Sequence, residues 1–505
     1  MRVVLLAVLL VQCLIGETSI ASEHLQALFE MNEIPLFVLR PDGSIEIIDI
    51  TRSDEDSDSD TTYPLPGYIW TQNNWAVSMT QTGAYSIERN RRVIFTCEPG
   101  DAFCPLFLSE NEDALFAVTD YKSKTELLVA IDLSGNMTPL HWDQEMRRDV
   151  GGLVLWGDSC RDLAAIYYFD STIHYTFFSA SLANAHIQAQ SLFPDADIIW
   201  VNGDANGERW LCRVMQASQP ECWLLFSDNG HKYQFLFKSR NLPNTIPAHN
   251  MEYITRDGSR ATGVITVPDG AGPFSLIVFI HGGPSTKVNH WFDPRVQALV
   301  QEGYAVFQPN YRGSRGLGKR WRLDGWKQWG NGTAQYDITD GVQHLIKSGV
   351  ADKSKIAVFG GSFGGYMAMS AIAFTPEIYR CGISFFGISD LAAYVEGNND
   401  ILRDFDKPMY GDRDNADELQ YLRSQSPLHA ELGIQRSLFL YHGVKDTLVP
   451  VWHSDAIASY AIRSGACVEY HREPMGNHGF GDTESEVAIF DAMLRFLKRE
   501  LSNFD

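Results

Sequence analysis

The stretch Gly360-Gly361-Ser362-Phe363-Gly364-Gly365 constrains this chain more than any other. It follows Ile356-Ala357-Val358-Phe359, an apolar run with the make-up of a buried strand. It precedes Tyr366-Met367-Ala368-Met369-Ser370-Ala371-Ile372, which reads as a helix. A bare Gly-x-Ser-x-Gly match signals only a flexible turn, but between a strand and a helix it predicts a sharp elbow with serine at its apex. The glycines let strand and helix approach around a strained serine backbone. The helix N-terminus beneath the hydroxyl favours developing negative charge. Ser362 is therefore the candidate nucleophile.

A serine hydroxyl is a weak nucleophile at neutral pH, so a base and an orienting acid are needed. In this fold class they follow the serine in the order acid, then histidine, each beyond a later strand. Ser437-Leu438-Phe439-Leu440-Tyr441 reads as one such strand and opens into His442-Gly443-Val444-Lys445-Asp446. The next, Cys467-Val468-Glu469-Tyr470, leads to His478 in a glycine-flanked loop. A terminal amphipathic helix follows, with Phe490, Met493, Leu497 and Leu501 on one face. His478 is the expected base and Asp446 its orienter. His442 and His471 fall within or against strands, where a histidine is more often a packing residue. Asp390 reads as a helix cap or loop brace. The strand Leu276-Ile277-Val278-Phe279-Ile280 ends in His281-Gly282-Gly283-Pro284, a turn able to aim a backbone N–H at the site. The N–H groups of Gly283 and Phe363 are the expected oxyanion donors.

Further segments accompany these: Arg256-Asp257-Gly258, Asn310-Tyr311-Arg312-Gly313-Ser314, Trp329-Gly330 with Asp337 and Asp340, Ser426-Pro427-Leu428, Val449-Pro450 and His478-Gly479-Phe480. In order and spacing, the chain from about Met251 onward resembles the catalytic domain of the prolyl oligopeptidase family of serine peptidases, near its acylaminoacyl-peptidase and dipeptidyl-peptidase branches. The resemblance implies an α/β-hydrolase domain, a triad of Ser362, Asp446 and His478, and an oxyanion contact from Gly283. His281 stands where the dipeptidyl branches carry an oxyanion-binding tyrosine, so that extra donor is absent. Arg312, Trp329, Asp337 and Asp340 take architectural roles in this reading.

The N-terminal half reads as β pairs separated by turns. Leu36-Phe37-Val38-Leu39 and Ile45-Glu46-Ile47-Ile48 flank Pro41-Asp42-Gly43-Ser44, a hairpin signal. Taking Trp75-Ala76-Val77-Ser78-Met79 as one start, units begin near residues 34, 75, 115, 164 and 209. A period of about 40 to 50 residues suits propeller blades. The resemblance points the same way, because those peptidases carry an N-terminal β-propeller that screens the active site. The space here holds about five blades against the family's usual seven or eight. The expectation is a short or incomplete propeller, with an unrelated β-sandwich as the alternative, and the screening role stays open.

At 505 residues the chain is too long for one ordinary core. The expected division is a secretory signal over residues 1–21, an all-β propeller-like domain over 22–247 and an α/β-hydrolase domain over 248–505. Arg2, the apolar run from Val3 to Ile15 and Ser19-Ile20-Ala21 carry the signal reading. That run is short for a membrane span, which makes an uncleaved anchor the lesser alternative. A net charge of −22 disfavours nucleic acid and anionic membranes as partners. The acidic run 54–60 alternates like the start of a calcium loop but lacks its glycine and distal glutamate, so it reads as solvated. No zinc spacing or phosphate-binding glycine loop occurs, and neither metal nor organic cofactor is expected.

Export permits disulfides, and Cys97 with Cys104 and Cys212 with Cys222 are the expected local bridges. Cys381 and Cys467 are expected as buried thiols. The resulting expectation is a secreted or periplasmic serine peptidase acting on short peptides, soluble once its signal is removed, with homo-oligomerisation open. An esterase or lipase on the same fold is the alternative. A binding protein with an inactive hydrolase half is a second, against which all three triad residues stand.

Overall fold

The computed structural model describes residues 36–40, 42, 44–48, 68–72, 75–79, 84–109, 111–145, 148–157, 162–170, 172–239, 242–397 and 406–502. The predicted signal and the acidic run 54–60 lie outside them. The described chain divides into two compact units. One holds residues 36–239 together with Gly316–Arg320; the other holds Leu242–Arg315 and residues from Trp321 onward.

The first unit is built from short antiparallel meanders. Strands β1 (Leu36–Leu39) and β2 (Ile45–Ile48) form the predicted hairpin, with Leu39 opposite Ile45. Asp42 Oδ1 accepts the Ser44 N–H (2.9 Å) in its turn. Strands β3 (Tyr68–Gln72), β4 (Trp75–Met79), β5 (Tyr85–Arg89) and β6 (Arg92–Thr96) make one four-stranded sheet. Strands β7 (Phe103–Leu108), β8 (Ala114–Thr119), β9 (Leu127–Asp132) and β10 (Met137–His141) make another. The starts predicted near 75, 115, 164 and 209 each fall on the second strand of a meander: β4, β8, then β12 (Asp162–Phe169) and β15 (Trp210–Met215). The period is right and the phase is one strand late. The second strands carry dense buried apolar positions, whereas β7 contains a proline and β11 (Asp149–Trp156) a Gly-Gly pair.

Two further departures appear in this unit. A helix, Ala180–Leu192, capped by Ser179 and burying Leu182, Ala185 and Ala189, follows β13 (Ile173–Phe177) where a fourth strand was expected. In addition β11 pairs in parallel with β14 (Asp197–Gly203) at Leu155 and Asn202. That link fuses β11–β13 and β14–β17, the last two strands being β16 (Cys222–Ser227) and β17 (Lys232–Lys238), into one seven-stranded sheet. The expected bridges do not form. Cys212 faces Leu224 and Cys222 faces Val214, so the two cysteines are offset by two positions across the ladder, and both are buried thiols. Cys97 is likewise a buried thiol; burial first, then Asp101 and Asp120, push it up.

The second unit is an α/β sheet in the order β18 (His249–Ile254), β19 (Arg260–Thr266), β21 (Ala305–Asn310), β20 (Phe274–Ile280), β22 (Ala351–Gly361), β23 (Cys381–Phe385), β24 (Ser437–Gly443), β25 (Val468–Glu473). From β21 to β25 every pairing is parallel. Both faces are covered, as near-continuous apolar strands require. Leu276, Val278, Ile280, Ile356 and Val358 face the helices Thr333–Lys347, Phe363–Phe374 and Trp452–Arg463. Ile277, Ala357 and Phe359 face Pro294–Gln301 and the terminal helix Thr483–Leu501. Phe490, Met493, Leu497 and Leu501 are all buried, worth about 1.5–3 kcal/mol each. Cys381 is buried on β23, but Cys467 is exposed, because β25 begins one residue later and leaves it in the preceding turn.

Candidate active site

The elbow follows from the way β22 runs into the helix Phe363–Phe374. Ser362 sits between them at φ 56° and ψ −123°, left-handed backbone that a side-chain-bearing residue rarely adopts. Its N–H donates to Phe385 O (2.9 Å) and its carbonyl accepts the Tyr366 N–H (3.1 Å), so the neighbouring strand and helix hold the turn. Gly364 must lack a side chain: a Cβ there would run into the Ile280 carbonyl at the end of β20. Ser362 makes no capping bond with its side chain, which leaves Oγ to face His478.

Asp446 and His478 arrive on the loops after β24 and β25. These loops are zipped together by Val444 N–H to Glu473 O (2.8 Å) and Lys445 N–H to Gly476 O (2.8 Å). Gly443 allows this, since a Cβ there would strike the backbone of Gly476 and Asn477. The parallel register sets the ends side by side, Gly361 beside Phe385 and Phe385 beside Tyr441. The result is one line of hydrogen bonds: Ser362 Oγ to His478 Nε2 at 2.9 Å and His478 Nδ1 to Asp446 Oδ2 at 2.6 Å. Asp446 Oδ1 accepts the N–H groups of Leu448 and Val449, both at 2.9 Å. Burial pushes the Asp446 carboxyl up. Hydrogen bonds from His442 and His478, the His478 charge and the Val449 N–H outweigh that and hold it at about 2.

Gly282 brings the other predicted turn against the elbow. The position a Cβ would take on it lies 3.5 Å from Ser362 Cβ and 4.0 Å from Phe363 N. Among the described residues, neither the Gly283 N–H nor the Phe363 N–H donates to another group. His281 turns away from an oxyanion role. It donates through Nδ1 to Gly282 O (2.8 Å), its Nε2 lies 3.0 Å from Ser314 Oγ, and it stacks on the Tyr311 ring at 4.5 Å. Burial pushes its imidazole down to about 4, so the ring is neutral near pH 7.

The competing candidates have other partners. Asp390 caps the helix Leu391–Gly397 through the N–H groups of Ala392 and Ala393 and pairs with His429. His471 lies on β25 against Phe439 and Glu469. Arg312 pairs in a fork with Asp337, both buried, and Arg256 pairs with Asp340 at the surface. Trp329 donates through Nε1 to Met409 O.

Of two further site residues, the sequence reading gave His442 only a packing role and missed Phe386. His442 is fully buried, with Nε2 3.2 Å from Asp446 Oδ2. Phe386 stands at φ 41° with its ring 4.9 Å from the His478 imidazole. Neither has a spacing signature: His442 looks like any strand-end residue, and the Phe386 backbone shows only in three dimensions.

Residues 290–504 match Peptidase_S9, the prolyl oligopeptidase family. The chain is 32% identical over 248 residues to "Dipeptidyl peptidase family member 6" of Caenorhabditis elegans, covering 46% of this chain and 33% of that protein. It is 27% identical over 295 residues to "Dipeptidyl aminopeptidase BIII" of Pseudoxanthomonas mexicana, covering 55% and 43%. The chain thus spans well under half the length of these curated relatives. A puromycin-hydrolysing peptidase of Mycobacterium tuberculosis shares the fold, with TM-score 0.69 at 19% identity over 85% of this chain and 68% of that one.

Proposed function

We propose, from a C-terminal unit that carries a prolyl oligopeptidase family serine peptidase domain, that this chain hydrolyses short peptides through an acyl-enzyme on Ser362. The observation that carries the reading is the unbroken line from Ser362 Oγ through His478 to Asp446. His478 Nε2 takes the hydroxyl proton as Oγ attacks the scissile carbonyl, and Asp446 holds the proton on Nδ1 and stabilises the imidazolium. The tetrahedral oxyanion lies on the N–H groups of Gly283 and Phe363. Collapse breaks the C–N bond, and His478 returns its proton to the leaving amine. Water then adds to the ester carbonyl with His478 again as base, and Ser362 Oγ leaves reprotonated.

Short peptides are the substrate class that the names of the relatives support: a dipeptidyl peptidase, a dipeptidyl aminopeptidase and a puromycin-hydrolysing peptidase. Export belongs to the same proposal and rests on Arg2, the apolar run after it and Ser19-Ile20-Ala21. The test is mass spectrometry of a mixed synthetic peptide pool incubated with the purified chain and with Ser362→Ala. Cleavage present in the first and lost in the second is the expected result. A pool untouched by both, with ester substrates cleaved by the first alone, would replace the peptidase by an esterase.

A further inference from the structure

The Asp446 carboxylate is held by more than the triad. Its side chain is wholly buried and accepts three N–H groups, Leu448 and Val449 on Oδ1 and His478 on Oδ2, while His442 Nε2 lies 3.2 Å from the same Oδ2. A carboxylate oxygen flanked by two imidazole nitrogens is a specific arrangement, because a lone pair on either nitrogen would repel it. For His442 the proton's place is dictated by its neighbours. Nε2 faces only acceptors, Val449 O at 2.8 Å and Asp446 Oδ2 at 3.2 Å, so Nε2 carries a hydrogen. Nδ1 lies 2.7 Å from Ser454 Oγ, a hydroxyl that can donate to its lone pair. Ser454 stands in the first turn of the helix Trp452–Arg463, so a rigid element fixes the tautomer. Two further titratable groups bear on this nest: His453, buried on the same helix turn, and Asp390, whose charge His453 feels together with that of Asp446.

We infer that His442 is a positioning residue of the hydrolytic site: with Ser454 setting its tautomer, its Nε2–H, anchored on Val449 O, lies beside Asp446 Oδ2 and steadies that oxygen in the orientation from which it holds His478. The inference rests on the triad reading and deepens it. Without His442, the backbone N–H groups still anchor Oδ1, but Oδ2 is free to swing about that anchor. His478 then loses the alignment that lets Nε2 reach Ser362 Oγ. His442 and Ser454 are both fully buried, out of a substrate's reach, so the effect belongs in kcat and not in KM.

The variants are His442→Phe, which keeps a ring without donors, and His442→Gln. The glutamine amide nitrogen is as many bonds from Cα as Nε2 of histidine, so its N–H can reach the same oxygen. Both are assayed beside Ser362→Ala on the peptide the wild type cuts fastest, with near-UV circular dichroism to confirm packing. We expect His442→Phe to lower kcat between tenfold and about 10²-fold, the low end for a misaligned acid–base pair, with KM within about twofold. His442→Gln should recover most of that loss. Serine-dependent hydrolysis that His442→Phe leaves unchanged overturns this inference alone. Equal losses in the two folded variants overturn it too, because any cavity or packing defect would do as much. Hydrolysis that persists in Ser362→Ala sinks the triad reading and this role with it. A further readout needs no variant: ¹⁵N spectra of histidine-labelled wild type should show His442 protonated at Nε2, and an unprotonated Nε2 refutes the proposal.

Discussion

Replacing Asp446 by asparagine should disable the site through a tautomer, and the structure shows why the amide has no choice of orientation. The side chain must keep an acceptor toward the N–H groups of Leu448 and Val449, both at 2.9 Å. Turning the amide the other way would leave two buried donors facing a third, at about 1–3 kcal/mol for each unmet group. The Asn oxygen therefore takes the Oδ1 position and its NH₂ takes the Oδ2 position. That NH₂ now points at His478 Nδ1, which lay 2.6 Å from Oδ2. Two N–H groups cannot share that contact, so His478 moves its proton to Nε2 and offers Nδ1 as acceptor. Nε2 then donates toward Ser362 Oγ and no longer removes its proton. His442 is not stranded, because Val449 O remains 2.8 Å from its Nε2.

The expected loss in kcat is about 10⁴, or ~5.5 kcal/mol of transition-state stabilisation, the scale of such a wrong-tautomer change in a serine protease. KM should hold, since Asp446 is buried behind the imidazole and touches no substrate. The assay is steady-state hydrolysis at pH 7 by wild type, Asp446→Asn, Asp446→Ala and Ser362→Ala, each checked for native near-UV circular dichroism. Asparagine is the closer mimic of aspartate, yet it imposes the wrong tautomer where alanine leaves the ring free. Asp446→Asn should therefore be no more active than Asp446→Ala per folded molecule. An Asp446→Asn enzyme keeping more than about a tenth of wild-type kcat would falsify the orientation argument.

Three other expectations follow from particular contacts. Asp446 is held at about 2 against an ordinary 3.8, so its share of stability, about 2 kcal/mol, is fully present above pH 4 and disappears as pH falls through 2. Urea unfolding between pH 4 and 2 should show wild type losing that much more than Asp446→Asn, and parallel curves count against it. Gly443→Ala should force apart the loops carrying Asp446 and His478, cutting kcat about 10²-fold, and an unchanged kcat means that those loops can give way. Arg312→Ala leaves Asp337 buried without its partner and should cost about 3–5 kcal/mol. Arg256→Ala, which removes a half-exposed guanidinium and leaves the residue's backbone N–H on Asp340, should cost about 0–1 kcal/mol, and similar urea midpoints for the two variants would contradict the burial argument.

The catalytic half was legible because each of its parts is encoded within a few residues. An apolar strand, a glycine turn and a polar residue at its end form a local pattern, and it recurs at His281–Gly283, at the elbow, at Asp446 and at His478. The N-terminal half lacks such punctuation. Its strands are seen by apolar density alone, and the starts near 75, 115, 164 and 209 land on the second strand of each meander, so the period survives while the phase slips. The cysteines failed for a related reason. Cys212 and Cys222 lie on paired strands, but only the register shows that they face Val214 and Leu224 and not each other.

What stayed hidden in the active site is of another kind. Parallel pairing places the ends of β22, β23 and β24 in line, and that is what converts separate local motifs into one site. The same alignment brings together residues that no local pattern marks. Phe386 is forced to φ 41° because its N–H reaches across to Tyr441 O (2.7 Å) while its ring packs on His478. His442 reads in sequence as a core histidine and is indeed fully buried; the packing reading and the positioning role describe the same side chain. Burial is what gives its contact with Asp446 weight, since water at that oxygen would compete for the carboxylate and let it turn. A buried histidine beside a catalytic carboxylate is therefore judged by where its protons must lie, and those positions come from Val449, Asp446 and Ser454, which only the fold assembles.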